Sequence, residues 1–444
     1  MKSCSTNIKY TRLGLSVDEK IQEYVDIIVE EILKEIPSVK SIILGGGFGR
    51  GEGSVEVRKG KVIPINDFDI FIISENKVSE ESLNRIANRA TSRLDIKNTG
   101  VEFYEFDRER YSNTFYVDLK NLPVGKLKNL PPMARYYELK NSSSVIYGDD
   151  LRNLMPSYTV EDLPLTEGFR FLMNRMALLA EYFSMDYFHK ISENEKRGLL
   201  YLGYSKALIA CCEALLMLNR KFVPGYKKRA EILEKCFKKD FPELAKKIPD
   251  LPEKVMKATD FKLNTKFPKK INAFKEWHEA CHYSGEVAKY FVGKFTGRKI
   301  KDYEHLSDVI YNNTWKLYFG PYIQWYIRRR FKINLGKTIP SFLLQNYMKL
   351  IFYLRLRKFR KTSHLNILKN KTSPDLTMYA VLPRLLFSVS KEKKINKRML
   401  KDAGKMMNKV FPTDYSVNDS YKLWNEIANK FSQAYVLFCF LKIV

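Results

Sequence analysis

Apolar residues recur along this chain with two periods, and the change from one to the other marks its first elements. Val17, Ile21, Tyr24, Ile28, Ile32 and Ile36 stand at helical spacing, which predicts an amphipathic helix ended by Pro37. Ser16-Val17-Asp18-Glu19 reads as its capping box, with Ser16 as N-cap. A short apolar strand, Ser41 to Leu44, follows and runs into a glycine-rich turn, Gly45 to Gly53. Ile65 to Ile73 is a second strand, and its unbroken apolar run at 70–73 predicts burial. Leu83, Ile86, Ala90 and Leu94 place another helix over 80–94. Residues 100–106 alternate like a strand, and 115–119 read as its neighbour. Pro123, Pro131 and Pro132 mark a loop, and Ile146 to Asp150 close this first unit.

From Leu163 to about Phe295 the pattern is helical. Phe169–Phe183 is rich in Leu, Met and Phe, and Leu199–Leu218 is apolar apart from Lys206 and Glu213, as in packed bundle helices. Pro224 to Arg229 turns into a basic helix. The expected fold class is α+β: a small mixed β-sheet domain with flanking helices, followed by a mainly α-helical region. Three units are expected, at 1–156, 157–300 and 301–444.

Composition changes this picture in one respect. Of 444 residues, 45% are hydrophobic and 29% charged, which suits a globular chain and excludes a disordered one. The net charge is +27, and it is unevenly spread. Through residue 160, 23 Lys and Arg balance 23 Asp and Glu, so the whole excess lies in residues 161–444. A neutral half joined to a basic half points to an anionic partner. Six cysteines show no framework spacing, and adjacent Cys211 and Cys212 read as small core residues. No apolar leader stands in the first 20 residues, and no run of about 18 uncharged apolar residues occurs; a cytoplasmic protein is expected, peripheral to a membrane at most.

The chemistry sits in the stretch from Ser41 to Ile73. Asp67 and Asp69 are two apart, so both carboxylates leave one face of a strand. Such a pair repels unless a cation neutralises it, and hard oxygen ligands suit Mg²⁺. Glycines at the preceding turn let backbone N–H groups approach phosphate oxygens. Gly-Gly-Gly-Phe-Gly-Arg-Gly-Glu-Gly (45–53) followed by Asp-Phe-Asp (67–69) resembles the polymerase-β-type nucleotidyltransferase superfamily, and within it the small aminoglycoside-modifying nucleotidyltransferases. The resemblance covers roughly residues 20–156. Gly47 stands where the superfamily often has Ser, which leaves only backbone contacts to phosphate.

The resemblance implies transfer of a nucleoside monophosphate from an NTP, ATP among them, to an acceptor hydroxyl or phosphate, with release of pyrophosphate. Two Mg²⁺ ions are expected at Asp67, Asp69 and a third carboxylate on a later strand. Asp118 in Val-Asp-Leu is the first candidate for it and Glu102 the second. Gly46 and Gly47 would meet the β/γ-phosphates. Arg50 would meet a phosphate or pair with a carboxylate, while Glu52 reads as structural. Lys206 would reach the triphosphate or snorkel from a core helix. The base and the acceptor, whether small molecule, lipid-linked or RNA, are not named by the sequence.

Two features point elsewhere. His278-Glu279-Ala280-Cys281-His282 matches the zincin signature, so a zinc metalloprotease is an alternative; Glu276 just upstream and the lack of a clear third ligand weigh against it. Residues 309–374 contain no Asp or Glu and 14 Lys or Arg among many aromatics and aliphatics. That mixture fits a membrane interface or a nucleic-acid surface. A non-catalytic module anchored through this region, and an enzyme that modifies other proteins, are the remaining rivals.

Overall fold

The computed structural model describes residues 8–94, 117–313 and 364–435, with 317, 346, 349–354, 356 and 357 between them. The first helix, α1 (Leu15–Glu35), buries Val17, Ile21, Val25, Ile28 and Ile32 along one face. It begins one residue before Ser16, after Gly14, and no side chain caps it. Asp18 instead accepts bonds from the Thr11 N–H (2.7 Å) and hydroxyl (2.9 Å), tying the incoming chain to the first turn. The expected Ser16 cap is therefore replaced by a link from the preceding loop.

Strand β1 (Val39–Leu44) leads into a single helical turn, α2 (Gly46–Gly49), and a hairpin, β2 (Val55–Arg58) with β3 (Lys61–Pro64). After β4 (Phe68–Ser74) come α3 (Glu80–Arg93), β5 (Val117–Pro123), α4 (Ala134–Asn141) and β6 (Ser144–Gly148). The mixed four-stranded sheet has the order β5-β4-β1-β6. β4 and β5 are parallel, and β1 pairs antiparallel with both β4 and β6. One face carries α1 and α3 over Ile42, Leu44, Ile70 and Ile72. The other packs Ile43, Phe71 and Ile73 against Leu127 and Leu139. Burial on both faces is why 70–73 is apolar without alternation. The expected strand at 100–106, with Glu102, lies outside the described residues.

The remainder is helical: α5 (Thr166–Glu181), α6 (Glu193–Gly198), a π-helical stretch Leu199–Ser205 running into α7 (Lys206–Leu218), α8 (Tyr226–Asp240), α9 (Pro242–Lys247), α10 (Leu251–Leu263) and α11 (Ala273–Thr296). Further on are α12 (Tyr303–Asn312), α13 (Asn366–Lys369), α14 (Pro374–Leu386), α15 (Lys397–Met407) and α16 (Ser420–Tyr435). The protein is thus α+β, a small mixed sheet with flanking helices joined to a helical region. One hydrophobic core takes residues from both sides of residue 300. At its centre Phe183 stacks on Trp277 (4.0 Å between centroids) and meets the edge of Trp424 (5.5 Å). Cys211 and Cys212 are buried there as free thiols. Glu193–Leu218 is long and apolar enough to cross a membrane, but 83% of its most apolar window is buried inside this fold.

Ion pairs fasten the sheet domain to the helices. Glu52 accepts from the first N–H groups of α8, Tyr226 at 2.6 Å and Lys227 at 3.2 Å, and from Arg12 at 3.0 Å. Its charge meets the positive end of that helix. Glu138 joins Arg50 (3.2 Å) to Arg229 (2.8 Å), and Glu56 pairs with Arg197.

Candidate active site

Asp67 stands immediately before β4 and Asp69 is its second residue. The parallel register sets Asp69 opposite Asp118 on β5. Period-two alternation then turns all three carboxylates to one side, where ligand atoms of Asp67, Asp69 and Asp118 lie within 4.8 Å of one another. All three residues are half-buried. Burial, with Asp67 and Asp118 adding, pushes the Asp69 carboxyl up to about 6, although Lys120 acts the other way. Lys120 donates to Asp69 Oδ1 at 3.3 Å and to Asp118, and its ammonium lies 5.3 Å over the Phe71 ring.

The glycine turn forms the neighbouring wall. Gly45 N–H donates to the Asp69 carbonyl at 2.8 Å, and Phe48 stacks on Phe68 at 4.5 Å, so the turn is fixed to β4. Gly46 has φ +59°, and a Cβ there would stand 2.1 Å from Asp69 Oδ2. Only glycine takes this φ without strain and lets the turn pack this close to the carboxylate. The first N–H groups of a helical turn have no partner within it, so those of Gly46 and Gly47 are suited to accept an anion.

The helices supply positive charge from across the site. Asn66, next to Asp67, accepts from Tyr201 and from Lys262 (3.3 Å), and Lys262 also donates to the Tyr201 hydroxyl at 3.2 Å. Lys262 is fully enclosed; burial pushes its ammonium far down, and nearby Lys206 adds to this. Lys206 lies 5.8 Å over the Tyr201 ring. Desolvation and Arg175 push it down to about 8, with Asp67 and Asp69 pulling the other way.

Other expected residues are occupied differently. Arg50 is buried against Glu138, sits 4.0 Å from Glu52 and lies over the Tyr226 ring at 5.1 Å. The zincin-like segment lies on α11. Its Glu279 accepts from the Tyr204 hydroxyl and Lys254, both at 2.7 Å, and His278 packs beside Phe274. Among the described residues the aspartate trio is the group able to hold a metal, and His278 and His282 join no such group. The zinc alternative is thereby corrected: the Glu that would act as base is committed to structural contacts.

Sequence reasoning missed Lys120, Asn66, Tyr201, Lys262 and Arg175. Lys120 was findable, since it lies two residues after Asp118 on the same strand face. Lys262 carried no local signal, being 196 residues from Asn66.

No protein-family model matches the chain, and no curated protein matches it. Among solved structures, a similar chain is a spectinomycin adenyltransferase from Enterococcus faecialis, crystallised with ATP and spectinomycin. The identity is 13%, over 60% of this chain and 99% of that one, and the TM-score is 0.35. A likeness at this score decides nothing about the chemistry.

Proposed function

We propose that this protein is a magnesium-dependent nucleotidyltransferase, moving a nucleoside monophosphate from an NTP to a hydroxyl or phosphate oxygen of an acceptor and releasing pyrophosphate. The observation that carries this reading is a carboxylate trio beside a glycine turn, with Lys262 on Asn66 next to Asp67 and Lys206 over the Tyr201 ring. Carboxylate oxygens at this spacing fit a hard divalent ion, and the space that a Cβ at Gly46 would fill adjoins one of them. Magnesium bound by Asp67, Asp69 and Asp118 would neutralise the triphosphate and lower the pKa of the acceptor hydroxyl.

The other tasks belong to the chain itself. The Gly46 and Gly47 N–H groups are directed at the β/γ-phosphates. Lys206, Lys262 and Arg175 balance the remaining phosphate charge in a poorly solvated site, where each cation counts for more than in water. Asn66, held by Tyr201 and Lys262, keeps the segment before Asp67 in place. Asp118 serves as ligand or as base for the acceptor proton. Arg50 is assigned to the Glu138 pair and not to phosphate.

The deciding experiment incubates purified protein with each of the four NTPs and Mg²⁺, measuring binding first. Pyrophosphate release is then followed with small-molecule, lipid and RNA fractions as acceptors. One NTP should bind, and pyrophosphate should appear with one acceptor class. Failure of all four to bind would remove the reading.

The acceptor side is read from charge. Leu350, Leu354, Leu365 and Leu368 are exposed large apolar residues within the acid-free basic stretch, and Arg357 is exposed beside them. Exposed leucines in a stretch that has 14 Lys or Arg and no acidic residue of its own suit an anionic lipid surface, so this stretch is assigned to peripheral membrane contact.

A further inference from the structure

Lys120 does something in the carboxylate site that the proposed chemistry does not use. Its ammonium lies between Asp69 and Asp118, donating to both. It is held there from several directions. Its residue is paired with Phe71 across the parallel β4–β5 ladder, its Nζ lies over that ring, and the side chain is only 18% exposed.

Charge counting makes this position informative. Three ionised carboxylates carry −3, so without a lysine one divalent ion leaves −1 and two leave +1. With Lys120 included, one divalent ion closes the balance to zero and two leave +2, inside a half-buried pocket where uncompensated charge is costly. The oxygens of Asp69 divide in the same way. Oδ1 faces Lys120, and Oδ2 lies against Gly46 of the glycine turn, 2.1 Å from where a Cβ there would stand. Asp118 is engaged by the ammonium, whereas Asp67 forms no salt bridge with it.

We propose that Lys120 takes the place of a second metal ion at this site, so that the trio accepts one divalent ion, on the side of Asp67 and Asp69 Oδ2. This deepens the nucleotidyltransferase reading and rests on its metal site; the two-ion expectation is replaced by one ion and one fixed ammonium. Lys120 is then an electrostatic positioning residue. It holds Asp118 in orientation and keeps a positive charge beside the acceptor that does not depend on metal concentration.

The test counts bound Mn²⁺ on the full chain without nucleotide, by equilibrium dialysis and electron paramagnetic resonance. Wild type and Lys120→Arg should each hold one ion. Lys120→Met, which keeps the length and removes the charge, should hold two, doubling bound Mn²⁺ at saturation. In chelator, Lys120→Met should melt below wild type and recover when Mn²⁺ is added, which separates a lost counter-charge from a failure to fold. Two ions in wild type, or one in Lys120→Met, would overturn the role of Lys120 and leave the metal site standing. No Mn²⁺ on any of the three proteins would overturn the metal site itself, and this inference with it.

Discussion

Asp69 is held against its own charge. Its carboxyl titrates near 6 in the fold against 3.8 for a free side chain, chiefly because of burial and then of Asp67. A raised folded value means the stability from this group is present below 3.8 and lost as pH rises through about 6. Metal-free Asp69→Asn cannot ionise, so it should melt above metal-free wild type at pH 7.5, with the gap closing by about pH 4. The same variant should release pyrophosphate at least about 100-fold more slowly, a loss of the size seen when one charge-stabilising group leaves an active site. A variant that melts lower at both pH values, or that keeps its turnover, contradicts the placement. Lys206 presents the opposite sign. Its ammonium is pushed down to about 8, so its charge fades as pH rises through that value. A bound triphosphate restores the charge, so nucleotide binding should take up more protons at pH 8 than at pH 6.5, the difference coming from Lys206. Calorimetry in two buffers of different ionisation heat measures this, and Lys206→Met should lose that difference. Asp67 and Asp69 were legible because strand alternation fixes their common face from two letters. Lys262 was not, because its partner Asn66 is brought to it by packing between distant helices and the sheet.

At the level of elements, local pattern located most of the described helices and strands in the sheet domain, and long-range partners decided their ends. The helix over 80–94 appears as Glu80–Arg93, capped by Ser79. Ser16 is not the cap because the helix already begins at Leu15, and Thr11 ties the incoming chain to Asp18 in its first turn. Helix α8 shows the same principle at its start. No residue of its own caps it, and Glu52, 174 residues away, accepts its first N–H group. A buried carboxylate that serves two N–H groups leaves both without their acceptor when removed, while exposed Arg12 returns to water. Glu52→Ala should therefore destabilise the protein by about 1–3 kcal/mol, read from denaturant melts. Glu52→Gln, which keeps one acceptor oxygen, should recover part of the loss; equal losses for both would mean that the cap contributes only through charge.

For the whole molecule, the sequence's division of charge matters more than its total. The sheet domain is neutral and the helical region carries the full +27. Hydrophobic periodicity announced that helical region, but it did not announce the common core in which Trp277 and Trp424 meet at 5.9 Å from either side of residue 300. Such pairings are set by tertiary packing, for which a single sequence holds no period. The assignment of the basic stretch to anionic lipid gives a measurable expectation. Vesicles containing phosphatidylserine should bind the protein, neutral ones should not, and binding should fall steeply with salt. Each basic residue at such a surface adds about 1 kcal/mol, so replacing Arg355, Arg357, Lys358, Arg360 and Lys361 by Gln should remove most of it. RNA that displaces the protein from vesicles would transfer the surface to nucleic acid instead.

The π-helical stretch at Leu199–Ser205 has a consequence for how one helix serves the site twice. Tyr201, which holds Asn66, and Lys206, which stands over its ring, are five residues apart. In a regular α-helix, at 3.6 residues per turn, five residues return to the wrong azimuth. In a helix bonded i to i+5 they come close to one full turn and share a face. The local widening thus acts as a phase correction. It brings a neutral hydroxyl and a cation into the same sector without a second helix; rewinding the stretch to ordinary α-helix with all its residues kept would turn one of the two away, whereas deleting one residue along with the widening would leave them four apart and on one face.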